Sequence, residues 1–314
     1  MTTQPLAARP AAGTDVTDPP VDAPRPGRRR RGASGGPSTV LTVGMLVCVA
    51  YFLLPLVWVV VASTKSNADL FSTFGLWFAD DLQLVANLRD VFTAQDGVFV
   101  LWLRNSVVYA VVSAAGAAVL ATLAGYAFAK LRFPGGNVLF SVVLGAVMIP
   151  TTALAIPTYL LFAEAGMTNT AWAVIVPSLV SPFGVYLMRV YAEGAVPDSL
   201  LEAARVDGAG ETRILVRVVL RLLAPGVVTV LLFQLVATWN NYFLPLIMLN
   251  SADLYPLTVG LAQWQATSAA GSGSQALFST VITGSLVSII PLVVAFLFLQ
   301  RYWQSGLATG GVKQ

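Results

Sequence analysis

Six long apolar runs constrain this chain more than anything else in it. They fall at roughly 40–62, 101–129, 138–163, 170–190, 222–249 and 276–300. A helix needs about 20 apolar residues to cross a bilayer core. Inside that core every backbone polar group has to be satisfied by the segment itself, which leaves helices as the simplest spanning structure. The runs therefore predict an all-α polytopic membrane protein with six transmembrane helices. Composition agrees: 56% of residues are hydrophobic and only 11% are charged, too apolar for a soluble domain.

Charge sets the expected orientation. With the N-terminus in the cytoplasm, only Lys65, Arg89 and Arg104 of the 18 Lys and Arg residues fall outside. The reverse topology breaks the positive-inside rule. Residues 1–38, rich in Pro, Gly, Ala and Arg, predict a disordered basic cytoplasmic tail. Residues 39–314 form the membrane domain, with a cytoplasmic C-terminal tail at 301–314.

Several chemistries are excluded. The chain has no His and a single Cys, Cys48, so it cannot form an internal disulfide, and a His/Cys zinc site has too few ligands. None of Lys65, Lys130 and Lys313 follows Gly, so no phosphate-binding Gly-Lys-Ser/Thr loop exists. No catalytic residues, metal or nucleic-acid site are expected, and any ATP chemistry belongs to another polypeptide. The spans carry almost no charge at mid-depth, which argues against proton-coupled transport.

The spans do carry helix breakers: Pro150 and Pro157 in the third, and Pro177, Pro182 and Gly184 in the fourth. Breaks at depth are tolerated where they line a cavity or pack in protein. The fifth run holds Gln234, Trp239, Asn240, Asn241 and Tyr242. Two readings are open for these residues. Amides and rings suit a hydroxyl-rich solute in a translocation path; they also suit helix–helix hydrogen bonds and an interfacial aromatic belt.

Between the fourth and fifth runs lies a polar segment, 194–217. Pro197 suits a helix start, and Ser199 with Glu202 has the spacing of a capping box. Ala203 and Ala204 are small enough to let a second surface approach. Gly208 is expected to bend or stop the helix. Arg213, Arg217 and Arg221 recur at i, i+4, i+8 and are expected on one face, for headgroup anchoring or a partner.

This segment resembles the EAA loop of binding-protein-dependent ABC importer permeases, through Glu202-Ala203-Ala204 and Asp207-Gly208-Ala209. The Asp-Gly-Ala form resembles maltose-type, MalG-like carbohydrate permeases. Arg104-Asn105-Ser106, Ile156-Pro157-Thr158-Tyr159 and Trp239-Asn240-Asn241-Tyr242 carry the likeness further. The chain departs from the family pattern at Ser199, Leu215 and Arg221. The resemblance implies the type I ABC importer permease fold in the bacterial plasma membrane. It implies a second permease subunit, two copies of a cytoplasmic ATPase that holds ATP and Mg, and an extracytoplasmic sugar-binding protein. It assigns ATPase coupling to Glu202, Ala203, Ala204, Asp207 and Gly208. It also implies that the 266–274 tip reaches the binding protein and that the C-terminal tail touches the ATPase. A stand-alone transporter or channel and a membrane scaffold are the competing readings of the residues.

Overall fold

A computed structural model describes residues 39–270 and 277–308 of the chain. The expected tail at 1–38, the tip beyond residue 270 and the last six residues lie outside the described residues. Among those described, the secondary structure is helical throughout. In chain order the helices are α1 Thr39–Ser63, α2 Asn67–Ser72, α3 Leu84–Thr93 and α4 Val98–Lys130. Then come α5 Gly136–Val147, α6 Ala155–Glu164, α7 Ala171–Ser178 and α8 Pro182–Ala195. The polar segment supplies α9 Asp198–Val206 and α10 Glu211–Ile214. The chain continues through α11 Leu220–Trp239, α12 Phe243–Met248, α13 Leu257–Ala269 and α14 Phe278–Ala308.

Among the described residues, five helical stretches are long and apolar enough to cross a bilayer: Thr39–Ser63, Leu84–Lys130, Ala171–Ala195, Glu211–Trp239 and Phe278–Gln300. The expected third span is instead two short helices, α5 and α6. Pro150 explains the break. It disfavours helical geometry at Ile149 and cannot donate a hydrogen bond. The chain crosses the gap in tight turns, with Ala153 N–H donating to Pro150 O and Leu154 N–H to Thr151 O. Pro157 falls in the first turn of α6, where its missing N–H costs nothing.

The expected fourth span is also split, at 179–181. Pro182 opens α8, and the Ser181 side chain caps it by accepting from Gly184 N–H. The expected fifth span, 222–249, begins earlier and ends at Trp239, and α12 follows as a separate short helix. The expected C-terminal tail is helical as far as Ala308.

The chain divides into two units, residues 1–51 and 52–314. In the first, residues 39–51 form a helix whose side chains, Cys48 included, are all exposed. In the second, α4 is the central element. Along its middle the buried face is a stripe of small residues that includes Ala110, Ser113, Ala114, Ala117, Ala121 and Gly125. Small side chains let helix backbones approach closely, which is how helices associate without a hydrophobic driving force. At Gly125 the neighbouring backbone itself is close: a Cβ would sit 2.5 Å from Met188 Cβ and 2.7 Å from the Arg189 backbone nitrogen on α8.

Gly125→Ala is accordingly expected to destabilise the α4–α8 contact by about 1–3 kcal/mol, the usual cost of overpacking. Gly145→Ala, inside α5 where nothing lies within 4 Å of the added carbon, is expected to raise stability slightly, by up to about 1 kcal/mol. Thermal melting of the two variants in the same detergent checks both outcomes.

Candidate functional site

The polar segment starts where α8 ends. Val196 is buried, and Pro197 is the N-cap of α9 with φ −66°. No side chain caps this helix. The expected capping box does not form, because the helix starts at Asp198 and puts Ser199 and Glu202 inside it rather than at Ncap and N3. Asp198 stabilises the N-terminus instead, as an acid in the first turn. Its carboxylate accepts a hydrogen bond from Lys130 Nζ at 2.8 Å. Lys130 is the last residue of α4, and its side chain is only 8% exposed. That hydrogen bond and charge hold the Asp198 carboxyl below the ordinary carboxylate range.

One face of α9 is seated in the protein. Leu201, 2% exposed, packs in a buried cluster with Tyr126 of α4, Met188 and Ala192 of α8, and Ile214, Val219 and Leu223 beyond the bend. Half-buried Ala204 packs against the same cluster. The opposite face presents Glu202, Ala203, Val206 and Asp207, all exposed. Val206 is 88% exposed. Sequence reasoning did not single it out; the available signal was an apolar residue among polar ones on a helix whose buried face was already filled.

Gly208 ends α9 as expected, and the geometry is specific. Its φ is +78°, in the left-handed region. Gly208 N–H donates to Arg205 O and Ala209 N–H donates to Ala204 O, each at 3.0 Å. These two bonds form a Schellman motif, which satisfies carbonyls that the helix end leaves free. A side-chain pair closes the bend: Arg205 Nε lies 2.7 Å from Glu211 Oε1. Their hydrogen bond raises the Arg205 pKa and lowers that of Glu211.

Beyond the bend a π-helical turn, Leu215–Val219, joins α10 to α11. Its wider winding turns the step between buried residues into five, Ile214 to Val219, before four returns at Leu223. Arg213, Arg217 and Arg221 are all exposed, but the π turn interrupts the straight line expected of them in a continuous helix.

The expected path residues have separate surroundings. Gln234 Nε2 donates to Ser178 O at 2.7 Å, the carbonyl at the α7 break. Trp239 is 9% exposed, in an apolar cluster with Phe99, Trp102 and Trp264. It also edges an apolar cavity of about 100 Å³ between α4, α11 and α14. The Asn240 side chain bonds back to Val236 O of its own helix but stays exposed. Asn241 Oδ1 accepts from Leu244 N–H, and its carbonyl accepts from Thr258 Oγ1. Asn240 and Tyr242 are the two of the five left exposed.

At the other end of α4, one stripe of side chains fastens residues 252–257. Trp102 Nε1 donates to Ala252 O, Asn105 Nδ2 to Asp253 O, and Tyr109 OH to Leu254 O. Ser106 Oγ accepts from Leu257 N–H. Asn169 holds the same connection from the other side, its Oδ1 accepting from the Asn250 and Ser251 N–H groups. The stretch leads into α13 and is thus mounted on α4.

A family model described as "Binding-protein-dependent transport system inner membrane component" matches residues 117–307. The arabinooligosaccharides transport system permease protein AraQ of Halalkalibacterium halodurans is 33% identical over 277 residues, covering 88% of this chain and 96% of the relative. The lactose transport system permease protein LacG of Rhizobium radiobacter is 30% identical over 264 residues, covering 83% and 91%. The crystal structure of a bacterial ABC transporter involved in the import of the acidic polysaccharide alginate shares the fold. It aligns with a TM-score of 0.72 at 24% identity, over 84% of this chain and 95% of that one.

Two outcomes are expected at the bend. Gly208→Ala meets no neighbouring atom, so its cost is the left-handed backbone alone, about 1 kcal/mol; Gly208→Asn is expected to cost less. Thermal melting ranks the three proteins. Asp198 and Glu211 have pKa values depressed by their partners, so their contribution is present above the ordinary carboxylate pKa and lost as pH falls through the folded value. Amide exchange in α9 is therefore expected to be insensitive to these pairs from pH 8 to 6, their loosening effect beginning only below about pH 4.

Proposed function

The chain belongs to the family of binding-protein-dependent transport system inner-membrane components, and we propose that it is the permease subunit of an ATP-driven sugar importer, coupled to a separate ATPase through α9. The observation that carries this reading is the geometry of α9. It is a polar helix between two spans, with one face packed on α4, α8 and α11 and the other exposed. A helix mounted in this way transmits force in both directions. The exposed face, with Glu202 for a basic groove and Val206 for an apolar one, is what a docking partner needs.

The charge asymmetry of the loops supports a cytoplasmic position for α9 and for both termini in the bacterial plasma membrane. ATP and Mg belong to two ATPase subunits, and this chain binds no cofactor. A second permease subunit completes the path, and an extracytoplasmic binding protein delivers the solute. The similarity to permeases named for arabinooligosaccharides and lactose supports a carbohydrate solute.

In this reading the ATPase pair closes on ATP and draws α9 with it. Leu201 and the Lys130–Asp198 pair carry the displacement into α4. The Schellman turn and the Arg205–Glu211 pair keep α9 and α10 moving together. Asp207 stays free at the helix end, and Ala203 lets the ATPase surface approach. Asn240 and Tyr242, exposed beside the break after Trp239, are the residues of the fifth run placed to meet a hydroxyl-rich solute.

Glu202→Ala is expected to insert normally yet weaken co-purification of the ATPase by about tenfold or more, as when one partner of a charge pair is truncated. Sugar uptake is expected to fall with it. Unchanged co-purification and uptake in membranes containing normal amounts of the variant overturn the docking role.

A further inference from the structure

At the α9 end of the bundle a recess of about 880 Å³ opens between the end of α4, the link 131–135, the first turn of α5, Arg189 of α8 and α9. Its size lies in the range of ligand pockets. Four cations line it, Lys130, Arg132, Arg189 and Arg205, against two acids, Asp198 and Glu202. We propose that this recess binds the phosphate of an anionic membrane lipid.

The cations keep donors available. Arg189 spends Nε on Glu193 at 3.0 Å, and its guanidinium carbon lies 3.8 Å from the centre of the Phe140 ring. Arg205 spends Nε on Glu211. Both leave their terminal nitrogens for a bidentate anion contact, the geometry in which a guanidinium binds phosphate best. Arg132 is exposed and makes no ion pair among the described residues. Lys130 Nζ has two donors beyond the one given to Asp198.

A further positive contribution comes from α5. Gly135, in the left-handed region at φ +79°, precedes this 12-residue helix with no side-chain cap and no acid in its first turn. The N–H groups of Asn137 and Val138 have no intrahelical acceptor and stand at the recess wall. The helix end adds to the cationic lining and does not make the site by itself.

A lipid fits better than a soluble phosphate because of what stands beside the recess. Lys130 closes a 33-residue apolar helix, so the recess lies where a span ends and headgroups begin. From its wall rises α5, apolar and outward-facing, with Val138, Leu139 and Val142 exposed. Acyl chains lying along α5 place their phosphate among the four cations. Basic pockets between helices on the cytoplasmic side recognise lipid headgroups in this way.

The test is native mass spectrometry of the full-length chain released from membranes containing phosphatidylglycerol and phosphatidylethanolamine. The wild type is expected to retain phosphatidylglycerol in preference. Arg132→Gln combined with Arg189→Gln is expected to lower retention about tenfold or more. Arg89→Gln combined with Arg104→Gln, which removes equal charge at exposed residues outside the recess, is expected to leave it unchanged. Exposed Arg132 is also replaced alone, with Arg132→Lys expected to restore retention, so that a folding defect at Arg189 does not mask the result. Equal loss in both double variants, or no preference for phosphatidylglycerol, overturns the site. Displacement of the lipid by inorganic phosphate makes it a soluble-anion site, and displacement by the purified ATPase subunit gives the recess to that partner; either overturns the proposal.

Discussion

A helix interrupted inside a bilayer leaves N–H and C=O groups with no water to turn to. Much of this structure follows from how those groups are satisfied. Where α7 stops, Gln234 reaches from α11 to the Ser178 carbonyl. Where α8 starts, Ser181 accepts from Gly184 N–H. The connection before α13 has carbonyls at 252, 253 and 254, and Trp102, Asn105 and Tyr109 donate to them. The polar side chains of the membrane domain that look available for a solute are thus largely committed to its own backbone. Breaks held in this way let two half-helices keep a fixed angle without a continuous hydrogen-bond ladder.

The same constraint makes α4 the mechanical centre. Its 33 residues span about 50 Å at the usual rise per residue. Its Ala and Gly stripe brings neighbouring backbones close along the middle. At one end it grips the 252–257 connection, and at the other it meets α9 through Lys130–Asp198 and the cluster around Leu201. A displacement of α9 therefore reaches the far end of the bundle through one rigid element. The π turn before α11 is the contrasting feature, a local widening that shifts the register between the bend and the next span.

Much of this was legible in the sequence, for identifiable reasons. Apolar runs of span length fix the class of fold, and Gly208 announced a helix end because few other residues take positive φ cheaply. Pro150 and Pro182 marked breaks, yet how far each break extended depended on turns and on the Ser181 cap. The capping box at Ser199 and Glu202 had the right spacing in the wrong register, because Pro197 rather than Ser199 precedes the first helical residue. The π turn was not legible, since the five-residue step from Ile214 to Val219 reads as ordinary noise in an apolar stretch. Nor was the fate of Gln234 and Trp239, because an amide for a solute and an amide for a backbone carbonyl are the same residue. The exposure of Val206 becomes visible only once Leu201 is known to point inward.

Docking of the ATPase on the exposed face of α9, with the buried face held by the spans, is open to a direct measurement. Cys48 is the single cysteine of the chain, so a Cys48→Ser background gives a clean probe. A cysteine placed at Val206 and another at Leu201, in separate proteins, are cross-linked in the assembled transporter under nucleotide-free and ATP-bound conditions. Val206→Cys is expected to form a cross-link to the ATPase subunit whose yield changes with ATP, and Leu201→Cys is expected to form none. An active complex in which Val206→Cys never cross-links to the ATPase contradicts docking on this face.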